Sequence, residues 1–168
     1  MARVPRDLPA VGWREWVALP ELGIEAIKAK VDTGARSSSI HASELRFRRY
    51  RGRELVSFCV HPLQHDVRTT IQAECEVLER RRVKSSNGVS EERPVVRTTL
   101  RLLGRELPVE LTLSARDEMG FRMLLGRQAI KHHFTVDPGG SFFGGVPLAV
   151  RRRKKKRKVR RRSKGTPS

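Results

Sequence analysis

Apolar residues stand at every second position in several stretches of this chain, and this alternation most strongly limits what the chain can fold into. The pattern is that of a β-strand with one buried face. It runs through residues 70–77, 96–102 and 107–113, and shorter strands are predicted at 16–19 and 24–31. Turn signals lie at 85–88, 103–105 and 137–140. Many short strands joined by tight turns predict an all-β domain, either closed into a barrel or packed as a sandwich.

The sequence predicts one domain with a short segment at each end. A chain of 168 residues is long enough for one domain with a hydrophobic core and short for two. We predict a flexible lead-in at residues 1–12, the domain at 13–148 and a tail at 149–168. A single short helix is expected at 127–133, directly after Gly126.

The tail is strongly basic. The net charge of +18 arises from 36 Lys and Arg against 18 Asp and Glu, and 12 of the basic residues lie between Arg151 and Lys164 with no acid among them. The remaining 24 basic residues exceed the 18 acids by only six. A block of like charge predicts a disordered tail, because self-repulsion opposes compaction and little apolar area is available to bury.

Cysteine usage and hydropathy indicate the compartment. Cys59 and Cys75 lie in strand-like stretches without the spacing of a disulfide framework, which favours a reducing environment. No apolar run near the N-terminus suits a signal peptide, and no stretch approaches the roughly 20 apolar residues that span a bilayer. We therefore expect a soluble, cytoplasmic protein with no membrane partner.

The segment Asp32-Thr33-Gly34-Ala35 is the candidate for chemistry. Its plain interpretation is a turn that ends a strand, since Asp and Gly are ordinary turn residues. The alternative is catalytic: Asp32 supplies a carboxylate, Thr33 a hydroxyl that holds the loop, Gly34 a close backbone approach, and Ala35 a small floor beneath a bound peptide. Two carboxylates that share a proton can activate water and polarise a carbonyl.

The chain contains only one such triplet, so it offers half of a two-carboxylate site. If the chemistry is real, the second carboxylate comes from another copy related by a two-fold axis. The sequence therefore predicts a homodimer with Asp32 at its centre.

Four stretches in a fixed order carry a resemblance to a known family: VDTGARSSSIHA, RRVKSSNGVSEERPVV, LTLSARDEMGFRMLLGRQAI and TVDPGGSF. They resemble the retropepsin-like aspartic peptidases, and more closely a bacterial branch often labelled "ATP-dependent zinc protease" and associated with enzymes that add glutamates to a ribosomal protein. The resemblance covers residues 13–148. It implies a small closed β-barrel of the retropepsin type and aspartic peptidase activity.

The resemblance also implies roles for individual residues. Asp32 would be the catalytic carboxylate, with Thr33 and Gly34 as its loop partners and Ala35 lining the substrate path. A flap hairpin at Val83 to Val95 would close over the substrate, with Asn87 and Gly88 near its tip. Gly126 would pack behind the catalytic loop, and Arg127 would brace the active-site or dimer region. As alternatives, Gly126 is a simple turn before a helix and Arg127 is a surface cation.

Two departures from the viral members affect the expected substrate. Arg36 stands where those enzymes carry an acid that pairs with the arginine after the glycine, so Arg127 needs another partner. The flap carries polar and charged residues in place of a Gly-rich tip. Arg36, Arg81, Arg82 and Lys84 could form a cationic rim that attracts acidic peptides, although charge runs are usually solvated faces.

No cofactor is expected. Cys59, His61 and His65, or the pair His132 and His133, do not have the spacing of a recognised zinc site. A phosphate-binding Gly-x-x-x-x-Gly-Lys loop is also missing from the sequence, so the family label finds no support in either respect.

The tail permits three interpretations: RNA or ribosome contact through phosphates, a nuclear localisation signal at 154–159, or a solvated extension. The tail has no aromatic residue for base stacking, which argues against sequence-specific recognition. Because the resembled family is bacterial, we favour non-specific RNA or ribosome contact through residues 151–164.

These observations predict a homodimeric aspartic peptidase that acts on a peptide or protein substrate, glutamate-rich or ribosomal. Two alternatives stay open. One is a non-catalytic dimeric module that docks on RNA through its tail, and the other is a metal-dependent hydrolase.

Overall fold

The computed structural model describes residues 7–63, 68–84, 87–115 and 120–163. Its strands are β1 (Ala10–Val11), β2 (Arg14–Leu19), β3 (Ile24–Asp32), β4 (Ser38–His41), β5 (Ser43–Tyr50), β6 (Arg53–Val60), β7 (Ile71–Lys84), β8 (Ser90–Leu102), β9 (Arg105–Ser114), β10 (Met123–Gly126) and β11 (Thr135–Val136). A 3₁₀ turn spans Pro20–Leu22, and the helices are α1 (Arg127–Ile130) and α2 (Leu148–Ser163).

Nine strands form one sheet in the order β2-β3-β10-β4-β9-β8-β7-β6-β5. A further pairing of β2 with β8, at Ala18 and Arg101, joins the sheet into a ring of six strands. Strands β7, β6 and β5 continue the sheet outward from β8. Strands β1 and β11 form a separate parallel pair.

Alternation explains which side chains enter the core. Along β2, every second residue is buried, and Val17 and Leu19 are 3% and 0% exposed. Their partners on the inner face of the ring belong to the other strands and form one cluster: Ile24, Ile27, Ile40, Leu100, Leu111, Met123 and Leu125. The mostly-β prediction is confirmed, and the strands predicted from alternation are present.

The ends of the elements differ from the predicted ones. Strand β7 continues to Lys84 and strand β8 begins at Ser90, so both are longer than the alternating stretches at 70–77 and 96–102. Their outer parts pair with each other, and residues 93–96 of β8 are buried in succession, which hides the alternation there. Helix α1 is one turn long, shorter than the predicted 127–133.

The N-terminal boundary also lies earlier than predicted. Residues 10–12 belong to the fold, since Val11 is fully buried and pairs with Val136. Gly12 lies so close to the backbone of Gly140 that a Cβ on it would be 2.2 Å from the Gly140 carbonyl oxygen. The buried carboxylate of Glu15 accepts from the N–H groups of Gly12 and Phe143, at 2.8 and 3.0 Å, and ties these segments together.

The tail prediction needs correction, because the structure contains helix α2 from Leu148 to Ser163 where disorder was expected. Lys and Arg are good helix formers, since their straight side chains lose little freedom in a helix. The helix begins on the domain: Val150 is 7% exposed, and α2 contacts β3. Anchoring by these first residues offsets the cost of starting a helix. Within the described residues, neither helix has the length and apolar character needed to cross a membrane.

Candidate active site

The candidate catalytic loop lies at the end of β3, over a strand that is distant in sequence. Strand β10 runs parallel to β3 with Gly126 opposite Asp32, and it runs antiparallel to β4 on its other side. Residues 33–37 connect β3 to β4 and must therefore cross the end of β10. This crossing brings the Asp-Thr-Gly loop and the Gly-Arg segment together.

Backbone amides hold the carboxylate of Asp32. Its Oδ1 accepts from the N–H of Gly34 at 2.9 Å and from the N–H of Ala35 at 3.1 Å. Asp32 is half-buried, whereas Thr33 and Gly34 are exposed. The turn chemistry of the plain interpretation is therefore present, and it fixes the orientation of the carboxylate that the catalytic interpretation requires.

Gly126 leaves no space for a side chain. A Cβ placed on it would be 2.5 Å from both the carbonyl carbon and the carbonyl oxygen of Ser37. The N–H of Gly126 donates to the hydroxyl of buried Ser38 at 3.0 Å. The loop thus packs directly against the end of β10.

The start of helix α1 completes the support. The N–H of Arg127 donates to the Ala35 carbonyl at 2.7 Å, and the N–H of Gln128 donates to the Arg36 carbonyl at 3.1 Å. These loop carbonyls satisfy amides that have no partner within the helix. The Arg127 guanidinium donates to the Thr33 carbonyl at 2.8 Å. Arg127 therefore has a partner on the loop, although residue 36 is an arginine and not an acid.

A groove of about 720 Å³ begins immediately after the loop, and we call it the basic groove. Its charged and amide lining residues are Arg36, Arg81, Arg97, Glu110, Gln128 and Lys131. Of the predicted cationic rim, Arg36 and Arg81 line this groove. Arg82 and Lys84 are exposed further along β7 and are not among its lining residues.

One acid lies within the basic groove. Glu110 accepts from Arg81 and from Arg97, each at 3.1 Å, and Arg81 also donates to the Ser37 hydroxyl at 3.0 Å. The hydrogen bonds from Arg81, followed by those from Arg97, hold the pKa of Glu110 below its ordinary value of 4.5. Glu110 is therefore ionised at neutral pH.

Sequence reasoning missed Arg97, Glu110 and Lys131. A signal for the first two existed. The two-residue turn at Leu103 and Gly104, both with positive φ, sets the β8–β9 register and places Arg97 opposite Glu110. For Lys131 we find no comparable signal.

The predicted flap corresponds to the outer part of the β7–β8 hairpin, where Lys84 pairs with Ser90. Asn87 and Gly88 are exposed at its end, and Gly88 has a φ of 83°. The structure therefore gathers Asp32, Thr33, Gly34 and Ala35 with Gly126 and Arg127. Asn87 and Gly88 lie beyond the last pair of the β7–β8 hairpin. The turn residues 85 and 86 lie outside the described residues.

Over the described part of the chain, no group of three or more His, Cys, Asp or Glu side chains could hold a metal ion. Cys59 is buried, with its sulfur 3.8 Å from a carboxylate oxygen of Glu44. Burial raises the pKa of the Cys75 thiol to about 11, so this thiol is protonated at neutral pH. His65 lies outside the described residues.

A supported Asp-Thr-Gly-Ala loop at a strand end is the site that the aspartic peptidase resemblance requires. The chain belongs to the family described as "Retropepsin-like aspartic endopeptidase RimB", whose model matches residues 10–145. The resemblance to retropepsin-like peptidases is confirmed by this match.

Curated relatives carry a different name. The chain is 49% identical over 132 residues to a probable alpha-L-glutamate ligase of Shewanella pealeana, and 51% identical over 128 residues to one of Desulfotalea psychrophila. The matches cover 79% and 76% of this chain and 29% and 28% of the relatives. The chain thus spans less than a third of the length of these relatives.

A solved structure shares the fold. It is the crystal structure of a protein of unknown function (Lpg0085, DUF785) from Legionella pneumophila. The two chains superpose with a TM-score of 0.65 at 26% sequence identity, over 80% of this chain and 97% of the other.

Proposed function

We propose that this protein is an aspartic peptidase of the cytoplasm whose active site forms between two copies of the chain. Each copy contributes Asp32. The observation that carries the proposal is the fixed Asp32 carboxylate, held by the amides of Gly34 and Ala35 on a loop braced by Gly126 and Arg127. A turn that only ended a strand would not need this second layer of support.

The proposed reaction uses the two carboxylates in different protonation states. Like charges about 3 Å apart cannot both ionise easily, so one carboxylate is ionised while the other holds a proton. The ionised carboxylate takes a proton from water, whose oxygen attacks the peptide carbonyl. The protonated carboxylate donates to the carbonyl oxygen as charge develops on it, which gives a gem-diol. The carbon–nitrogen bond then breaks as the first carboxylate passes the water proton to the leaving nitrogen. The second carboxylate takes a proton back from a diol hydroxyl, which restores the starting state of the pair. The two apparent pKa values belong to the pair.

We further propose that the substrate is rich in glutamate, as in a modified ribosomal protein. Two observations support this. Four cations line the basic groove beside the loop against one acid. The relatives that contain a matching region are named as probable glutamate ligases, which associates this domain with glutamate addition.

Replacement of Asp32 by Asn tests the peptidase proposal. Asn preserves the shape of the side chain but cannot share the proton, so we expect hydrolysis of a glutamate-rich peptide to fall by roughly 10²- to 10⁴-fold. Circular dichroism and thermal unfolding should show that the fold persists. Activity that survives in Asp32→Asn would exclude the proposal.

The chain offers a matched control for this substitution. Asp137 forms a similar turn, in which its Oδ1 accepts from the Gly139 N–H at 2.9 Å, far along the chain from the catalytic loop. Asp137→Asn should retain activity.

Loss of activity with a chelator and its return with zinc would instead favour the metal-dependent alternative.

Mixed dimers test the shared site. Asp32→Asn chains are combined in excess with wild-type chains. The activity, as a fraction of that of the pure wild type, should then be lower than the fraction of wild-type chains, because a mixed dimer has only one functional carboxylate. Sedimentation measurements on the same samples should show a dimer. Activity proportional to the wild-type fraction would contradict a shared site.

A further inference from the structure

Glu110 bonds two arginines of the basic groove at once. It lies on β9, and each of its carboxylate oxygens accepts from a different arginine. Oε2 accepts from Arg81 and Oε1 accepts from Arg97, each at 3.1 Å. Arg81 has a second acid, Glu79, with Nε to Oε1 at 2.8 Å. For Arg97, Glu110 is the only acid with which an ion pair is formed among the described residues.

The other two cations of the groove have no such acid. Neither Arg36 nor Lys131 forms an ion pair within the described part of the chain, and both are exposed. The groove therefore contains one carboxylate and an excess of cations. A carboxylate that enters the groove meets Arg36 and Lys131, which pair with no acid among the described residues. It also meets Arg81 and Arg97, each of which already donates from Nη2 to Glu110.

We infer that Glu110 occupies the position of a substrate carboxylate in the basic groove and limits how tightly an acidic peptide binds there. This inference rests on the proposed function for the choice of ligand, an acidic peptide. Glu110 is on this view a specificity-determining residue. An incoming glutamate side chain must compete with it for Arg97 and must also approach its negative charge.

If Glu110 competes in this way, removal of its negative charge should strengthen the binding of an acidic peptide. In Glu110→Gln the shape is retained and the charge is removed. One carboxylate oxygen is replaced by an NH2 group, which donates and does not accept, so one of the two arginines loses its acceptor and becomes available to the peptide. Exposed ion pairs contribute little, and the expected gain is correspondingly small, roughly threefold to fivefold in affinity at low salt. The gain should shrink at high salt, where exposed charges are screened.

The test measures binding by calorimetry in the full chain with Asp32→Asn, which prevents turnover. The probe is a tetraglutamate peptide with blocked ends, and a tetraglutamine peptide of the same length serves as the uncharged reference. We expect Glu110→Gln to lower the Kd of the tetraglutamate peptide and to leave the tetraglutamine peptide unchanged.

A matched control lies on the same strand. Glu106 pairs with Arg101 at 2.6 Å, is exposed, and does not line the groove. Glu106→Gln removes the same charge and should leave the Kd of tetraglutamate nearly unchanged. An equal gain in both variants would indicate a general charge effect and would overturn the inference.

A second variant, Arg97→Gln, tests whether the effect of Glu110 on binding acts through Arg97. Arg97→Gln should weaken tetraglutamate binding, and the gain from Glu110→Gln should be smaller in the Arg97→Gln background. If Glu110→Gln leaves affinity unchanged or weakens it, Glu110 positions the arginines and does not compete, and the inference is wrong.

These outcomes are separate from those of the peptidase proposal. Binding is measured without catalysis, so a failure of Asp32 to support hydrolysis would leave the binding result intact. Conversely, a peptidase that binds tetraglutamate equally well with and without the Glu110 charge would contradict only the inference.

Discussion

At the residue scale, the support of the candidate catalytic loop depends on one position where any side chain is excluded. Gly126 has φ of −81°, which every residue adopts, so its conformation does not require glycine. Its requirement is space, because the backbone of Arg36 and Ser37 lies within 2.9 Å of the position of a Cβ. A sequence pattern of Leu-Leu-Gly-Arg marks such a glycine but does not tell which segment lies against it.

Gly126→Ala should therefore destabilise the protein and displace the loop. Backbone atoms cannot move aside as a flexible side chain would, so we expect a loss of about 1–3 kcal/mol in the free energy of unfolding. For a chain of this size, that loss lowers the melting temperature by roughly 2–12 °C. Thermal unfolding measures the effect.

Gly144→Ala is the control for this substitution. Its Cβ would meet only side-chain atoms of Leu103, at 3.6 Å and beyond, which is ordinary contact. We expect a small change in stability. Equal losses in the two variants would show that the close approach at Gly126 has no special cost.

At the element scale, strands and hairpin registers could be predicted from the sequence, but their order could not. Alternation marks β8 and β9, and the turn at Leu103 and Gly104 fixes how they pair. Strand β10 is a four-residue apolar run with no alternation, since all four residues are buried. Nothing local indicates that it lies between β3 and β4. The assembly of the site from two distant segments was accessible only through the resemblance.

The 3₁₀ turn at Pro20–Leu22 makes a pH-dependent contact with β8. The Glu21 carboxylate accepts from the Thr99 hydroxyl and N–H, at 2.9 and 3.0 Å, and from the Thr98 hydroxyl at 3.1 Å. The Thr99 hydroxyl, followed by the Thr98 hydroxyl, holds the pKa of Glu21 below its ordinary value of 4.5. A depressed pKa means that the ionised form stabilises the folded state.

The sign of the pH effect follows from this direction. The stabilisation is complete above the unfolded pKa near 4.5 and disappears as the pH falls through the lower, folded pKa. Wild type should therefore be more stable than Glu21→Gln at neutral pH, and the difference should shrink below pH 4.5. Urea unfolding of both proteins across this range measures it.

Glu25→Gln provides the comparison, because Glu25 is exposed on β3 and no hydrogen bond to β8 involves it among the described residues. Its stability relative to wild type should not show the same dependence. A difference between wild type and Glu21→Gln that stays constant with pH would mean that the Glu21 charge does not matter for the contact.

At the scale of the whole molecule, the sequence indicates the distribution of charge better than its conformation. The concentration of 12 basic residues after Val150 is evident from the chain alone. Self-repulsion led us to predict disorder, whereas helix propensity and the anchoring of Val150 favour α2. Composition alone does not determine which of these opposing contributions is larger. The ring closure through Ala18 and Arg101 was likewise beyond local patterns.

The helix makes the proposed RNA contact testable as an ordered surface. Lys154, Lys155 and Lys156 are exposed on α2, beyond the residues that anchor it. Replacement of all three by Gln should reduce affinity for a single-stranded RNA oligonucleotide without loss of domain stability. The slope of log K against log salt should decrease in magnitude by about 0.7 for each phosphate contact removed. Fluorescence anisotropy at several salt concentrations measures both quantities.

A control with charges removed from the domain separates this contact from general attraction. Lys131 and Arg36 are exposed cations of the basic groove, and their replacement by Gln should affect binding of acidic peptides more than binding of RNA. If the α2 variant binds RNA with unchanged affinity and slope, the basic helix does not contact RNA. If both variants reduce the slope equally for each charge removed, RNA is attracted by the overall charge of the molecule, and α2 has no particular role in binding it.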